Sequence, residues 1–354
     1  MKTHAVITQW SAYSPYGAGR EAFATGLAAR RTAVAPVEDG WDTGAERAAL
    51  VPGFDLRNVL GRKGTRSMNR VSGLAVATVS LLQEEIAAGQ DSGLVLGTTT
   101  GSAETNMVAM GGALRSGRPY LIDPAAAPYL VMNGPAGQCA IWHDFKGPNA
   151  TIAAGRPSGL AALGYARRLL LTGRADMVIA GAAEEYSRAR SWMEIRAAED
   201  GSASPPPGEG CAMFAITAGP SASRPAVADV LALDFRMCVD GDWWAAVDQS
   251  VRRALLTAER APGDVWATCA SGAPGQAGKA ETAVLEQTAS GAVALPDLTG
   301  LVGEMDASAS AFQLAAVLSE AASSAEAAGW VAVITSTDPP RGVLATCVLG
   351  FAAR

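Results

Sequence analysis

Histidine is nearly missing from this sequence. His4 and His143 are the only two, so a mechanism with an imidazole base has one candidate inside the first apolar run and one beside Trp142 and Asp144. Cysteine is sparse and scattered: Cys139, Cys211, Cys238, Cys269 and Cys347 are odd in number and show no C-x-x-C spacing. That pattern argues against a zinc centre or other metal site and against a disulfide framework, and it points to the reducing cytoplasm. Positive charge is in deficit, with 28 Lys and Arg against 34 Asp and Glu, a net charge of −6 and a pI near 5.1. A nucleic-acid binder carries the opposite balance. No apolar run approaches the roughly 20 residues of a membrane span, and the opening MKTHAVITQW lacks the apolar stretch and cleavage site of a secretory signal. A soluble intracellular protein is expected, with no cofactor.

What the chain has in abundance is apolar material, 49% of 354 residues, which is enough for a large core. At roughly 150 residues per domain the length implies two domains or one double unit. The 39 glycines and 19 prolines are dispersed, as turns are, and form no disordered tract.

Strand–helix alternation runs through the chain. Strands are expected at His4–Ser11, Gly93–Gly97, Asn149–Ala154, Met177–Gly181, Cys211–Thr217, Val227–Val239, Val265–Cys269, Trp330–Thr335 and Val343–Gly350. Helices are expected at Arg20–Arg30, Asn69–Ala88, Ser102–Leu114 (ended by Gly117 and Pro119), Asn133–Ala140, Ser158–Leu171, Trp243–Glu259, Lys279–Glu286 and Ala309–Ala327. Short apolar strands between helices mean a mostly parallel, buried sheet. Each half opens with a strand, a polar turn and a helix, so a duplicated α/β unit is inferred, with halves at 1–223 and 224–354 and a hinge at Arg224–Pro225. Gly201–Gly210 reads as a loop. Trp243–Trp244 read as core, Glu184–Glu185 and Glu199–Asp200 as solvated faces or loop charges, and no phosphate-binding glycine loop occurs.

Several separated motifs resemble the ketosynthases of the thiolase fold, which condense acyl thioesters. AVITQWSAYSPYGAGREAF resembles the family's opening strand and turn, and LGRKGTRSMNRVSGLAVATV its R-x-x-R helix. The block from Met132 to Glu185 carries N-x-x-A-G-x-x-A, G-P-N, a nucleophile turn and G-x-A-D-x-x-I-A-G in the family's order. The resemblance implies a thiolase-like fold, two duplicated α/β halves in α-β-α-β-α layers. It also implies a cysteine seven residues after Asn149 and three before Gly159, where this chain has Arg156. An arginine has no accessible neutral form and cannot accept an acyl group. Cys269 falls at the first family histidine, Thr299 at the family lysine, and Glu304 at the second histidine. Those histidines stabilise developing enolate charge, which a carboxylate would oppose. Arg156 and Glu304 are expected to form an ion pair in the dead cavity.

An inactive copy with this scaffold resembles the chain-length factor, the β subunit of type II polyketide synthases, and GLAALGYARR at Gly159–Arg168 reproduces a block of that subfamily. Many such factors have Gln at the lost cysteine, with a decarboxylase role proposed for it, which Arg156 does not inherit. The resemblance implies a heterodimer with an active ketosynthase, which also receives the acyl carrier protein, and a tunnel bounded by Ala103, Asn106, Met110 and Ala127. The first three are spaced i, i+3, i+7 on one helix face. None is aromatic, which leaves on the order of 100 Å³ per missing ring and favours a long slim chain such as a polyene. Leu130, Val131, Met132, Asn133 and Ile152 would lie at the dimer seam, so the chain alone should be poorly soluble. Two alternatives stay open: a decarboxylase or acyltransferase with a rearranged site, in which Cys269 would act, and a homodimeric acyl-binding or scaffold protein. Cys139 reads as a core thiol and His143 as structural or interfacial.

Overall fold

The computed structural model describes residues 5–37, 44–118, 120, 124–197, 205–219 and 225–352. His4, Pro119, Glu199–Asp200, residues 201–204 of the expected loop, the expected boundary at 223–224 and Arg224 of the expected Arg224–Pro225 hinge lie outside the described residues. In the first half the main strands are β1 (Ala5–Ser14), β2 (Gly93–Gly97), β3 (Asn149–Ile152), β4 (Met177–Glu184) and β5 (Gly210–Thr217). In the second they are β6 (Ala228–Met237), β7 (Val265–Cys269), β8 (Val293–Ala294), β9 (Val331–Asp338) and β10 (Val343–Gly350). The main helices are α1 (Arg20–Ala28), α2 (Arg70–Glu85), α3 (Ala103–Arg115), α4 (Gly134–Trp142), α5 (Ser158–Leu171), α6 (Arg188–Ala197), α7 (Trp243–Thr257), α8 (Gly275–Thr288) and α9 (Ala309–Ser323).

The strands lie in the order β8-β7-β9-β10-β6-β1-β5-β4-β2-β3. Numbering the strands of each half from one to five, both halves read 3-2-4-5-1, and in both the fifth strand runs antiparallel to its neighbours. This shared order is the duplication. β1 and β6 join the halves edge to edge through Ala5–Val230, Val6–Asp229 and Ile7–Ala228, so one sheet of eleven strands, counting a two-residue strand paired with β1, runs through the molecule.

The strands are apolar on both faces because helices cover both. Along β2, Val95 points into the core shared with α5 and α9, whereas Leu94 and Leu96 face α2 and α4. β4 divides likewise, Val178 and Ala180 to one side, Met177 and Ile179 to the other. The shared core takes Leu160 and Leu163 from α5, Phe312 and Leu314 from α9, and Phe214, Ile334 and Cys347 from both half-sheets. α7 and α8 cover the outer face of the second half with Val247, Val251, Val284 and Leu285. The layers are therefore α2/α4, half-sheet, α5/α9, half-sheet, α7/α8. Among the described residues no helix is long and apolar enough to cross a membrane.

Asn69 and Ser102, read as first helical residues, are instead the side-chain caps of α2 and α3, accepting from Ser72 N and Thr105 N. α6 has no counterpart in the sequence reading because RARSWMEIRA has no apolar stripe to reveal it. α8 starts at Gly275, ahead of the expected Lys279, because two glycines disguise its first turn. Trp244 departs from the expected core packing: it is 45% exposed, while Trp243 packs partly against the α7/α8 core.

α5 and α9 cross where side chains vanish. A Cβ on Gly159 would stand 2.5 Å from Ala311 N and 2.9 Å from its Cα. Gly159→Ala should therefore cost about 1–3 kcal/mol by forcing the two central helices apart, read as a lowered urea midpoint. An unchanged midpoint would show that the helices can separate freely.

Candidate functional site

The site is built on the turn between β3 and α5. Gly155 takes φ +64°, and a Cβ there would collide with the Asp338 carboxylate, so only glycine fits. Ser158 pins the turn, donating its hydroxyl to Gly155 O at 2.6 Å and accepting from Ala154 N at 2.9 Å. Between them stands Arg156, only 5% exposed.

Arg156 Nη1 donates to Glu304 Oε2, so the two residues form an ion pair. Nη2 donates to Ser271 O at 2.5 Å, and the backbone N–H of Arg156 donates to Asp338 Oδ2 at 3.0 Å. The guanidinium Nε is buried without a partner. Burial pushes the Arg156 pKa down, opposed by the carboxylates of Glu281, Asp338, Asp306 and Asp297. Glu304 is fixed from behind: its carbonyl accepts from Gly208 N at 2.7 Å and from Arg190 Nη2 at 2.9 Å, and its Oε1 accepts from Asp306 N at 2.9 Å. Arg190, on α6, is itself buried, and Nη1 also donates to Glu185 O and Gly208 O.

Cys269 ends β7 in full burial, its Sγ turned to Ala270 O and the Gln313 amide, and burial pushes its pKa up to about 12. A thiol held so far above neutrality is a poor nucleophile. Cys139, Cys211 and Cys347 are likewise buried with raised pKa values. Glu281, absent from the sequence reading, lies at the floor: it accepts from the Ser271 hydroxyl and, at 3.2 Å, from Ser271 N, and burial raises its pKa to about 7. Thr299 is nearly buried, its N–H donating to Asp297 Oδ1 at 2.9 Å.

Glu184 and Glu185 are not solvated; each is 2% exposed. Glu184 accepts from Thr99 N and Oγ1, and Glu185 from Ser102 Oγ and from Val71 N in the first turn of α2. Glu184 ends a fully buried strand and Glu185 follows it, and their carboxyl oxygens satisfy backbone and hydroxyl donors there, while burial raises the pKa of both. Nearby, Arg70 pairs with buried Glu209 at 2.5 Å. A cavity of about 720 Å³ opens beside the first turn of α3, lined by Arg66, Arg70, Glu104, Glu185 and Arg188 among others. Ala103, Asn106, Met110 and Ala127 do not line it. Ala103 and Asn106 are half-buried, Asn106 bonded to Ser102 O, whereas Met110 and Ala127 are exposed.

α3 buries none of its residues, and Met107, Val108, Met110 and Leu114 stand exposed on it. Val131 and Met132 are 51% and 41% exposed, Asn133 is exposed, and Leu130 is half-buried. Ile152 is half-buried on β3, which among the described residues is the last strand of the sheet and pairs with β2 alone. His143 Nε2 lies 3.1 Å from Val76 O and its ring stacks on Phe145, a structural placement.

A sequence profile for the beta-ketoacyl synthase N-terminal domain matches residues 3–218. A 3-oxoacyl-[acyl-carrier-protein] synthase 2 of Vibrio cholerae is 27% identical over 194 residues, covering 52% of this chain and 47% of that protein. A granaticin polyketide beta-ketoacyl synthase 1 of Streptomyces violaceoruber is 29% identical over 198 residues, covering 52% and 47%. The chain thus spans about half the length of these curated relatives. Among solved structures, the ishigamide ketosynthase/chain length factor superposes with a TM-score of 0.93 at 37% identity, over 99% of this chain and 100% of that one. A type II PKS acyl-carrier protein in complex with its ketosynthase superposes with a TM-score of 0.79 at 15% identity, over 99% of this chain and 100% of that one, a likeness of fold.

Two measurements test this electrostatics. Arg156→Met or Glu304→Met alone should cost about 3–5 kcal/mol, and the double variant less than the two singles combined, because a lone buried charge is worse than none. Strict additivity in urea unfolding would refute the pairing. The second concerns Glu281, whose folded pKa of about 7 stands above its ordinary value of 4.5. The folded state then binds the proton more tightly, so this group's contribution falls as pH rises from 4.5 through 7. Glu184, pushed to about 8, acts in the same sense. Glu281→Gln should gain stability relative to the parent between pH 5 and pH 8; parallel stability curves would remove Glu281 as the cause.

Proposed function

Because the chain belongs to the beta-ketoacyl synthase family, we propose that it is a non-catalytic subunit that pairs with an active ketosynthase and sets the length of the chain made there. One observation carries this reading: the position that would hold the nucleophile is a buried arginine tied to a carboxylate. A guanidinium cannot form a thioester, and its charge pair fills the space where the reacting carbonyl would sit. The buried thiols, with their raised pKa values, offer no substitute.

The surface supports the partner. The exposed apolar residues of α3, Val131 and Met132, with a sheet edge at β3 that is unpaired among the described residues, present what an obligate interface is made of. Leu130, Asn133 and Ile152 belong to the same proposed face. On this reading α3 meets the partner, Ala103, Asn106 and Met110 bound the distal end of the tunnel, and Ala127 contributes from the following turn. Small and flexible side chains there favour a long slim chain such as a polyene. The growing chain arrives on an acyl carrier protein that docks mainly on the partner. Five unpaired cysteines fit the reducing cytoplasm as the place of work.

The test is co-expression with a candidate ketosynthase, capture on this chain and elongation from malonyl-carrier protein. A 1:1 complex is expected, and Ala103→Phe or Met110→Trp should shorten the product by several carbons. Condensing activity in this chain alone would favour the rearranged-site enzyme, and a homodimer that ignores every ketosynthase would favour the scaffold. Unchanged products from a stable complex would remove the length-setting role.

A further inference from the structure

The β9 end of the second half reaches across to the turn that carries Arg156. Asp338 is 2% exposed, and its carboxylate is shared three ways. Oδ1 accepts from Arg341 N at 3.1 Å, while Oδ2 accepts from Arg341 Nη1 at 2.8 Å and from the Arg156 backbone N–H at 3.0 Å. The Pro339–Arg341 single turn and left-handed Gly342 hold this geometry, with Asp338 as its cap. Arg341, with 46% of its side chain exposed, covers the carboxylate from the solvent side and also reaches Asp306 at 3.9 Å.

The position of this carboxylate matters chemically. Attack on a thioester carbonyl develops negative charge on oxygen, and a backbone N–H at the nucleophile, just ahead of a helix N-terminus, is the donor best placed to receive it. Here that donor is already spent on the Asp338 carboxylate. The space is spent too, since Asp338 Oδ2 lies only 1.8 Å from where a Cβ on Gly155 would be and Arg341 Nη1 2.9 Å from it.

We propose that Asp338, clamped by Arg341, is a built-in lock on this turn: it occupies the oxyanion donor and the mouth of the site, so a thiol restored at position 156 would still be shielded from acyl groups and alkylating agents. This inference deepens the reading of the site as a lost nucleophile position and assigns the exclusion to a second, separate element. It does not depend on the partner, so failure of the complex to form would leave it standing.

The test uses thiol alkylation in the full chain. In Arg156→Cys, iodoacetamide can react only when the introduced sulfur, as thiolate, displaces iodide and forms the S–C bond. The five native cysteines are buried and give the background, measured in the parent chain by intact mass. Beside a fixed carboxylate the thiolate is disfavoured as well as shielded, so Arg156→Cys should label about tenfold or more slowly than Arg156→Cys/Asp338→Ala. Arg156→Cys/Asp338→Asn keeps the bulk, removes the charge and should fall between them. Thermal melts identify variants that have not folded. If the alanine variant fails, the asparagine pair decides, and it must label faster than Arg156→Cys alone. Equal labelling rates with and without Asp338 in folded proteins would overturn the lock.

Discussion

A guanidinium buried two residues ahead of a helix is the constraint to which the centre of this molecule answers. The amino end of α5 carries partial positive charge, and Arg156 adds a full one beside it. Neither is tolerable out of water without negative partners. Glu304 supplies one and Asp338 the other, the first to the guanidinium and the second to the backbone N–H. One comes from a loop and the other from the end of β9, both in the second half, so the charge at one turn of the first half fixes two segments far away in sequence. Arg190 extends the demand further, because it anchors the Glu304 carbonyl and ties α6 and Gly208 to the same place.

This electrostatic knot sits on a scaffold that would persist without it. α5 and α9 are sandwiched between the half-sheets, and Gly159 lets α5 approach the backbone at Ala311. The sharp turn before α5 follows from that packing and from Gly155, whatever side chain stands at 156. Nucleophile geometry is therefore inherited from core packing, and its survival says nothing about chemistry. What sets this turn apart is the side chain at 156 and the carboxylates of Glu304 and Asp338 directed at it.

Much of the fold was legible in the sequence because its strands are short apolar runs bounded by turn residues: Gly93–Gly97, Val265–Cys269 and Val343–Gly350 form at the expected bounds. α6 was illegible because its stability comes from contacts such as those of Arg190, which leave no periodic apolar trace. The positions of Arg156, Cys269 and Glu304 were found by motif order, and the structure brings Arg156 and Glu304 into contact while turning the Cys269 thiol elsewhere. Asp338, Glu281 and Ser271 were missed since each acts through a tertiary neighbour; the sole local signal was an aspartate ahead of Pro-Pro-Arg, the pattern of a capped turn. The burial of Glu184 and Glu185 was misread for a related reason: adjacent carboxyls look solvated until the donors they satisfy, Thr99 for Glu184 and two helix starts for Glu185, are known.

The buried knot and the exposed α3 face are opposite departures from what a self-sufficient domain requires. The first spends desolvation on charge pairs at a buried place that apolar side chains could fill at no greater cost. The second leaves Met107, Val108, Met110 and Leu114 in water on a helix that buries none of its own residues. Core stability explains neither. On the proposed reading of a subunit whose chemistry lies in its partner, the buried charge pair and the exposed apolar flank are two sides of one division of labour.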